Sequence, residues 1–347
     1  MPAPSSYAIA VVVITYQSGE HLPALIRALQ PQLEADDQLV VVDNASTDRT
    51  AEIARGLHER IAVIETGANL GFAAGCRVGA EATDAPLLLF LNPDSEPHPD
   101  CLGRLRQAAV DHPGWGAWQA AVLLDDAHIN TSGEIVHYLG IGWAGDCGRP
   151  VSALPPGDRE VAAPSGAAMV VRREDWLAMG GMRTEYFMYG EDLDLGLRLW
   201  LTGRAVGLVP AARVNHNYEF EKGSSKWFWL ERNRWRTILS VYPTPLLLLL
   251  APALLAAELG LLLIAARAGW LMPKLRAQAA VIADLPATLR RRRSVQSTRR
   301  IGTLDFAGHL TSSLDSPYLA AARSPWLDGP QALYWRLVRL LLRTLER

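Results

Sequence analysis

Cysteine is scarce in this chain, and the spacing of the few present excludes several classes of protein. Among 347 residues there are three cysteines, Cys76, Cys101 and Cys147, without the close pairing of a zinc knuckle or a redox motif. This usage is typical of a reduced, cytosolic setting. The first ten residues lack a basic flank, so we expect no secretory signal at this end.

An excess of positive charge is lacking as well. Lysine and arginine number 34 against 36 acidic residues, for a net charge of -2. This balance excludes the overall basicity of nucleic-acid-binding proteins. Arginines nevertheless crowd roughly the last hundred residues, whereas acids crowd the first two thirds.

Strand, loop and helix patterns alternate at the start of the chain. Apolar runs rich in β-branched or aliphatic residues predict strands at 8–15, 39–42, 61–65 and 87–91. Such alternation with helical stretches predicts an α/β fold, with a mostly parallel sheet flanked by helices.

Polar residues follow three of these strands. Thr15 ends the first, Asp43 follows the second, and Asn92 and Asp94 follow the fourth. Because parallel strands point the same way, these loops should meet at one edge of the sheet, where such folds bind ligands. Pro93 ends the fourth strand and leaves the carboxylate of Asp94 free for a divalent ion whose shell a substrate's phosphates complete. The alternative is that Asn-Pro-Asp forms an ordinary turn.

Asp43 lies too early to cap the following helix. We therefore expect it to contact a ligand, and we expect at least one of Ser46, Thr47 and Asp48 to be the helix cap.

Six segments carry a resemblance to a known family. They are VVVITYQSG, VVDNASTD, NLGFAAG, LLFLNPDSE, SGAAMVVRRE and FMYGEDLDLGLRL, within roughly residues 8–236. In this order they resemble the family-two inverting glycosyltransferases, and most of all the rhamnosyltransferase-type members of cell-envelope polysaccharide assembly. The resemblance implies a GT-A nucleotide-sugar-binding domain, for which we expect the bounds 1–238.

The resemblance also implies roles for individual residues in binding the donor. Asp43 would accept a hydrogen bond from a ring nitrogen of the base, and Gly166 would lie in the wall beneath the donor sugar and the acceptor. The residues expected to border the nucleotide and the sugar are Thr15, Tyr16, Asp43, Asn69, Gly71 and Phe72.

By the same resemblance, Asp94 is the carboxylate that binds Mg²⁺ or Mn²⁺. Asn92 replaces the first acid of the common Asp-x-Asp motif, so we expect weaker and more substrate-dependent metal binding. His216 is a second candidate, since a histidine near this position approaches the metal or diphosphate in relatives; packing is its alternative. Gln17 and Cys76 stand where the family commonly has asparagine, so contacts from those positions are not carried over.

Inverting transfer needs a base that takes the proton of the acceptor hydroxyl. The resemblance places that base at Asp192 and gives Glu191 the role of orienting the acceptor or the base. The alternative is an acidic helix start favoured by the helix dipole, which we expect for Asp194.

A basic stretch follows the acid pair. Residues 222–226, of sequence KGSSK, offer backbone amides, hydroxyls and ammonium groups to phosphate. Arg232 and Arg234 follow on a predicted helix. We expect this stretch to hold the diphosphate of the donor or that of a lipid-linked acceptor.

The carboxy-terminal third predicts membrane association. Residues 245–266 are apolar apart from Glu258 and are long enough to span a bilayer. Pro252 interrupts them, and an unpaired acid there would be costly, so we expect a broken, partly inserted or in-plane helical hairpin. A clean span and a buried core helix are the alternatives.

Two basic features extend this prediction. Arg290 to Arg293 should bind anionic headgroups, which predicts a membrane-associating segment over 239–300. In the tail, 301–347, four arginines repeat at helical spacing and predict a basic amphipathic helix at a membrane surface. They are Arg336, Arg339, Arg343 and Arg347, opposite Leu337, Val338, Leu341, Leu342 and Leu345.

These features together predict a metal-dependent inverting glycosyltransferase at the cytoplasmic face of the cell membrane, with no nucleic-acid partner. By resemblance, its donor is dTDP-rhamnose and its acceptor a lipid-linked saccharide. The alternatives are a UDP-hexose donor, a sugar nucleotidyltransferase, or a non-catalytic membrane scaffold. The nucleotidyltransferase would not need Glu191 and Asp192, and the chain lacks a glycine- and lysine-rich phosphate loop near residue 15.

Overall fold

The structure is a computed structural model and describes residues 7–216, 226–315 and 325–346. These residues fall into two units. The first contains those within 1–134, 144–199 and 204–218, and the second contains those within 135–143, 200–203 and 219–347. The domain bounds predicted at residues 238 and 300 remain predictions.

A ten-stranded mixed sheet forms the centre of the first unit. Its order is β10-β12-β6-β11-β4-β1-β2-β3, with β5 paired to β12 and β7 paired to β6. Two further short strands, β8 and β9, pair with each other. The strands are β1 Ile9–Thr15, β2 Gln38–Asp43, β3 Ile61–Glu65, β4 Leu87–Leu91, β5 Ser95–Pro97, β6 Trp115–Leu123, β7 Ile129–Thr131, β8 Glu134–Val136, β9 Gly142–Ala144, β10 Arg159–Glu160, β11 Ala168–Arg172 and β12 Ala205–His216.

The four strands predicted from the sequence are all present and form a parallel block. β1 lies between β2 and β4, and β3 pairs with β2, all in parallel. Beyond β4 the sheet becomes mixed, because β11 runs antiparallel to both β4 and β6. The parallel block thus places the ends of β1, β2 and β4 at one edge, as expected.

Six helices belong to the chain before residue 202: α1 Leu22–Leu29, α2 Thr50–Leu57, α3 Phe72–Glu81, α4 Cys101–Asp111, α5 Arg173–Met179 and α6 Glu191–Leu201. Helices cover both faces of the parallel block. Val11 and Val13 of β1 share a buried cluster with residues of α1 and α4. On the other face, α3 lies so close that a Cβ on Gly79 would come within 2.2 Å of Val12. Burial on both faces explains why these strands are continuous apolar runs rather than alternating ones.

The second unit is helical. Its helices are α7 Lys226–Val241, α8 Thr244–Arg267, α9 Leu271–Ala283, α10 Leu285–Ser297, α11 Thr303–Ala307 and α12 Pro325–Leu345. Within the described residues, α8 alone is long and apolar enough to cross a bilayer.

The expected break at Pro252 is wrong, because α8 is one continuous helix through that residue. A proline inside a helix removes a single backbone hydrogen bond and kinks the helix more often than it ends it when packing holds both sides. Leu246, Leu250 and Leu254 provide that packing, since all three are buried at four-residue spacing.

Candidate active site

The side chains of Thr15 and Asp43 meet at the ends of β1 and β2, where the two residues are direct neighbours in the sheet. The Thr15 hydroxyl donates to Asp43 Oδ1 at 3.2 Å, and the backbone N–H of Ser46 donates to Oδ2 at 3.1 Å. Asp43 is only 2% exposed. The N-cap of α2 is Arg49, which makes no side-chain cap hydrogen bond, so none of Ser46, Thr47 and Asp48 occupies the expected cap position. Asp48 Oδ1 still accepts the amide of Thr50, the first residue of α2, at 3.0 Å.

Gln17 joins the β1 and β2 loops, a role that its sequence position did not indicate. Its side-chain carbonyl accepts the amides of Thr47 at 3.2 Å and Asp48 at 3.0 Å. Its backbone has a φ of 54°, in the left-handed region. The neighbouring Tyr16 is 52% exposed, so its ring is open to a ligand at this edge.

Asn69, Gly71 and Phe72 form a tight turn into α3. The Asn69 side chain accepts the Gly71 amide at 3.0 Å, and Gly71 has a φ of 81°. A Cβ at Gly71 would lie 2.4 Å from the carbonyl oxygen of Phe187, so only glycine fits. The ring of Phe72 lies beside Gly166, where a Cβ would meet it at 3.0 Å. The turn therefore joins three of the segments that carry the family resemblance.

Asp94, Asn92 and His216 come together because β5 pairs with β12. That pairing sets His216 opposite Ser95, next to Asp94. His216 Nε2 lies 3.1 Å from Asp94 Oδ1 and 3.2 Å from the Asn92 amide nitrogen. No group of three His, Cys, Asp or Glu side chains able to hold a metal is found within the described residues. One carboxylate and one imidazole fit a divalent ion only if the substrate adds further oxygen ligands.

The acid pair begins α6. Asp192 Oδ2 accepts the Gly166 amide and Oδ1 accepts the Leu193 amide, both at 2.8 Å. Burial raises the pKa of Asp192, and these two amides oppose that rise. Burial also raises the pKa of Glu191 well above its ordinary value, and the charge of Asp192 raises it further. Glu191 Oε2 is buried and has no hydrogen-bond partner among the residues that the structure describes. The charged form is therefore disfavoured more strongly at Glu191 than at Asp192, whose carboxylate accepts two backbone amides.

The loop before α6 is strained, and Phe187 and Tyr189 have φ values of 66° and 69°. Non-glycine residues in this region are kept only where the surroundings hold them. The strain thus sits next to the acid pair.

Asp194 is more than the helix-start acid that was expected. It is completely buried, and its carboxylate binds Arg198 at 2.7 Å, Arg183 at 3.1 Å and the Tyr186 hydroxyl at 3.1 Å. The sequence shows an acid in a first helical turn but not these partners. Asp194 anchors α6 and thereby holds the adjacent acid pair in place.

Glu134 is a third acid near Asp192, and sequence reasoning missed it. It is half-buried at the start of β8. Burial, reinforced by the charge of Asp192, raises the pKa of Glu134 to about 8. Glu134 lies outside all six family-like segments, so no motif could have indicated it.

Arg232 and Arg234 lie in the second unit, where other side chains already engage them. The Arg234 guanidinium binds the carboxylates of Glu231 and Glu258 and donates to the Leu139 carbonyl at 3.1 Å. The Arg232 guanidinium lies 4.4 Å from the ring centre of Trp229. Their predicted contact with a diphosphate stays a prediction, and the structure gives Arg234 a buried structural role. Residues 222–225 lie outside the described part of the chain.

An α/β sheet of this topology, with acids at the ends of its parallel strands, has the architecture of the GT-A fold. The family model "Glycosyl transferase family 2" matches residues 10–123, and "Glycosyl transferase family group 2" matches residues 87–275. The chain belongs to the family-two glycosyltransferases and is similar to their rhamnosyltransferases.

Two relatives illustrate that similarity. The chain is 30% identical over 238 residues to N-acetylglucosaminyl-diphospho-decaprenol L-rhamnosyltransferase of Mycobacterium tuberculosis, covering 62% of this chain and 78% of that protein. It is 38% identical over 71 residues to Rhamnosyltransferase WbbL of Escherichia coli K12, covering 20% and 26% respectively.

Solved structures show the same fold. GalNAc-T7, crystallised with UDP, GalNAc and Mn²⁺, has a TM-score of 0.58 at 14% identity, over 70% of this chain and 49% of that one. The mannosyltransferase PcManGT from Pyrobaculum calidifontis, in complex with GDP-Man and Mn²⁺, has a TM-score of 0.53 at 17% identity, over 87% and 86%.

Proposed function

We propose that this glycosyltransferase moves rhamnose from dTDP-rhamnose to a lipid-linked saccharide, with inversion at the anomeric carbon. The observation that carries the reaction type is the acid pair, in which Glu191, with its pKa raised by burial and by the charge of Asp192, adjoins an Asp192 carboxylate that accepts two backbone amides. The name of the Mycobacterium tuberculosis relative supports rhamnose as the sugar and a diphospho-lipid saccharide as the acceptor. A UDP-hexose is the alternative donor.

The nucleotide binds at the edge formed by β1 and β2. Asp43 accepts a hydrogen bond from the base, while the Thr15 hydroxyl donates a hydrogen bond that orients the Asp43 carboxylate. The exposed ring of Tyr16 covers the nucleotide, and the turn from Asn69 through Phe72 borders the ribose and sugar. Gly166 leaves space beneath the donor sugar because it has no side chain.

Asp94 and His216 hold a divalent ion, Mg²⁺ or Mn²⁺, together with the donor's diphosphate. When bound, the ion stabilises the negative charge that develops on the departing diphosphate. Asn92 contributes a neutral amide where many relatives of this fold have an acid, so the protein supplies little negative charge of its own. Ion and nucleotide therefore bind together rather than separately.

Asp192 is the base. Its carboxylate takes the proton of the acceptor hydroxyl as that oxygen attacks the anomeric carbon from the side opposite the diphosphate. The bond from the sugar to the diphosphate breaks as the new glycosidic bond forms. Glu191, which stays protonated beside it, donates a hydrogen bond and adds no second negative charge.

The second unit attaches the enzyme to the cytoplasmic face of the membrane without spanning it. A row of leucines on α8 is exposed, among them Leu255, Leu259 and Leu263. On another face of α8, Glu258 is paired with Arg234 and with Lys274 at 2.9 Å. A helix tied by charges along one side can lie in the membrane surface with its leucines in the acyl region.

The experiment that tests the reaction is a sugar-transfer assay with a panel of nucleotide sugars and a synthetic N-acetylglucosaminyl diphospho-prenol acceptor. We expect transfer from dTDP-rhamnose, and we expect Asp192→Asn to lower kcat by about 10² to 10⁴ because the base is lost. Glu160→Gln, an exposed acid on β10, is the matched control and should leave transfer unchanged. Equal transfer by Asp192→Asn and the parent would exclude the proposed base.

The same assay separates the alternatives. Transfer from a UDP-hexose alone would replace the proposed donor. Formation of a nucleotide sugar from a sugar phosphate and a nucleoside triphosphate would identify a nucleotidyltransferase. Absence of transfer from every donor would leave the membrane scaffold.

A further inference from the structure

Glu134 is an acid near the proposed base for which the mechanism above has no use. Its backbone N–H donates to the carbonyl of Ala163 at 2.9 Å. Three residues further along that segment, the N–H of Gly166 donates to Asp192 Oδ2 at 2.8 Å. The short segment 163–166 therefore contacts the backbone of Glu134 at one end and the carboxylate of Asp192 at the other.

The carboxyl group of Glu134 is free of partners in the described part of the chain, where no hydrogen bond or ion pair to it is found. Glu134 is partly exposed, and its oxygens are not among the fully buried ones that lack a partner in the described residues, so a molecule bound beside Asp192 can reach its carboxyl group. A sugar hydroxyl bound there could accept a hydrogen bond from it.

We infer that Glu134 is a third carboxyl group of the active site and that it donates a hydrogen bond to the acceptor sugar. This inference rests on the proposed function, which puts the acceptor hydroxyl at Asp192. A sugar ring whose hydroxyl reaches Asp192 has its remaining oxygens within the space around that carboxylate. Glu134 would thus select the acceptor, while Asp192 performs the proton transfer.

The charges around Glu134 favour its neutral form. Asp192 of α6 is the charged group that acts on it, and its negative charge disfavours ionisation of Glu134. Arg159 of β10, which precedes the segment 163–166, is bound to the Ser132 hydroxyl at 3.0 Å and to Asp146. With its pKa raised to about 8, Glu134 is protonated at neutral pH and able to donate.

The inference predicts a pH dependence of defined sign. Below about pH 8 Glu134 is neutral and binds the acceptor; above it, the group ionises, loses its donor and places a second charge beside Asp192. We therefore expect the acceptor KM of the parent to rise between about pH 7 and pH 9. Glu134→Gln keeps an N–H donor that does not titrate, so its acceptor KM should stay flat over that range.

Two variants and one control test the role at neutral pH. Glu134→Ala should raise the acceptor KM about threefold to tenfold, the value of one neutral hydrogen bond, and leave the donor KM unchanged. Glu160→Gln should change neither. Parallel pH profiles for the parent and Glu134→Gln would overturn the inference, and so would an equal rise of the donor KM in Glu134→Ala.

A measurement independent of transfer separates this inference from the proposed function. Infrared difference spectra of protein labelled with ¹³C-glutamate should show a protonated carboxyl that is lost between about pH 7 and pH 9 and is missing from Glu134→Gln. Absence of that group would overturn the inference even if transfer is found. Its presence, with binding of the diphospho-prenol probe weakened in Glu134→Ala, would support the inference even if dTDP-rhamnose is not the donor.

Discussion

At the scale of single residues, the site depends on what stands beside each acid. Asp43, Asp94 and Asp192 are all aspartates near loop or helix starts, yet each has a different set of partners. Asp43 is satisfied by Thr15 and the Ser46 turn, whereas Asp94 faces an imidazole nitrogen at 3.1 Å. Of these two, Asp94 is the one whose carboxylate lies beside a nitrogen ligand, the combination of oxygen and nitrogen ligands that binds divalent ions.

Asp94→Ala should therefore remove the dependence of nucleotide binding on a divalent ion. In the parent, Mn²⁺ should tighten the binding of dTDP, since ion and diphosphate complete one another's ligands. In the variant, the increase in dTDP affinity that Mn²⁺ causes should be smaller by at least about tenfold. Substitutions around bound metals commonly change metal affinity by this amount. Calorimetric titration of dTDP with and without Mn²⁺ measures it.

Glu96→Ala is the matched control, because Glu96 is an exposed acid on β5 two residues away. It should bind dTDP like the parent in both titrations. An unchanged gain from Mn²⁺ in Asp94→Ala would show that the ion, if bound, is held elsewhere.

Some residues of the site could be predicted from the sequence because strand order alone places them. The ends of parallel strands meet at one edge, so Thr15, Asp43 and Asp94 follow from apolar runs and the residues after them. Glu134 could not be predicted, because its position depends on a backbone hydrogen bond to Ala163, 29 residues further along the chain. Contacts of that kind carry no local pattern.

At the scale of secondary structure elements, α8 shows how a charge is accommodated in an apolar helix. Glu258 was expected to be costly there unless paired. The structure pairs it with Arg234 of α7, with Lys274 of α9 at 2.9 Å and with Gln278 at 2.8 Å. Burial disfavours the charged form of Glu258, but these cations outweigh burial and lower its pKa. The sequence showed the need for a partner but could not identify it.

Lys274→Met should strongly destabilise the second unit. Lys274 is completely buried and binds both Glu231 and Glu258, so its loss leaves two buried carboxylates facing one cation, Arg234. We expect the free energy of unfolding to fall by about 3–5 kcal/mol, as for other broken buried ion pairs. Urea unfolding followed by tryptophan fluorescence measures it.

Two further variants make this prediction specific to charge. Arg276→Met removes an exposed cation from the same helix and should change the free energy of unfolding by less than about 0.5 kcal/mol. Adding Glu258→Met to Lys274→Met leaves Glu231 and Arg234 as a balanced pair, so stability should recover. Failure to recover would mean that lost packing, not charge, causes the effect.

At the scale of the whole molecule, both the sequence and the structure place exposed apolar side chains in the carboxy-terminal third of the chain. In the tail, exposed leucines such as Leu333 and Leu337 lie on α12, as the predicted amphipathic helix requires. Val338 and Leu342, which were assigned to the same apolar face, are buried with Trp335 instead. A helical repeat predicts a face but not which part of that face a neighbouring helix covers.

The basic cluster at 290–293 is likewise divided between two uses. Arg292 donates to the carbonyls of Leu239 and Tyr242 at 2.9 and 2.8 Å, so it closes the end of α7. Exposed arginines such as Arg290 and Arg343 remain available to anionic headgroups. Some arginines in this third of the chain are therefore used to hold helices together, and only the others are exposed to a membrane surface.

Binding of the enzyme to lipid vesicles should depend on the exposed leucine row of α8. Replacing Leu255, Leu259 and Leu263 by serine removes three side chains that are 59 to 66% exposed and make no contribution to a buried core. Each leucine inserted into lipid gains roughly 1.5–3 kcal/mol, so the triple variant should lose most of its binding to vesicles that contain anionic lipid, measured by flotation. Leu177→Ser changes a 67% exposed leucine of α5 in the first unit and should float like the parent.

Because Glu258 is tied to α7 and α9, α8 is expected to lie in one leaflet, and alkaline carbonate should release the parent from membranes. Retention after carbonate would favour a spanning α8, and unchanged flotation of the triple variant would place the membrane contact on another surface.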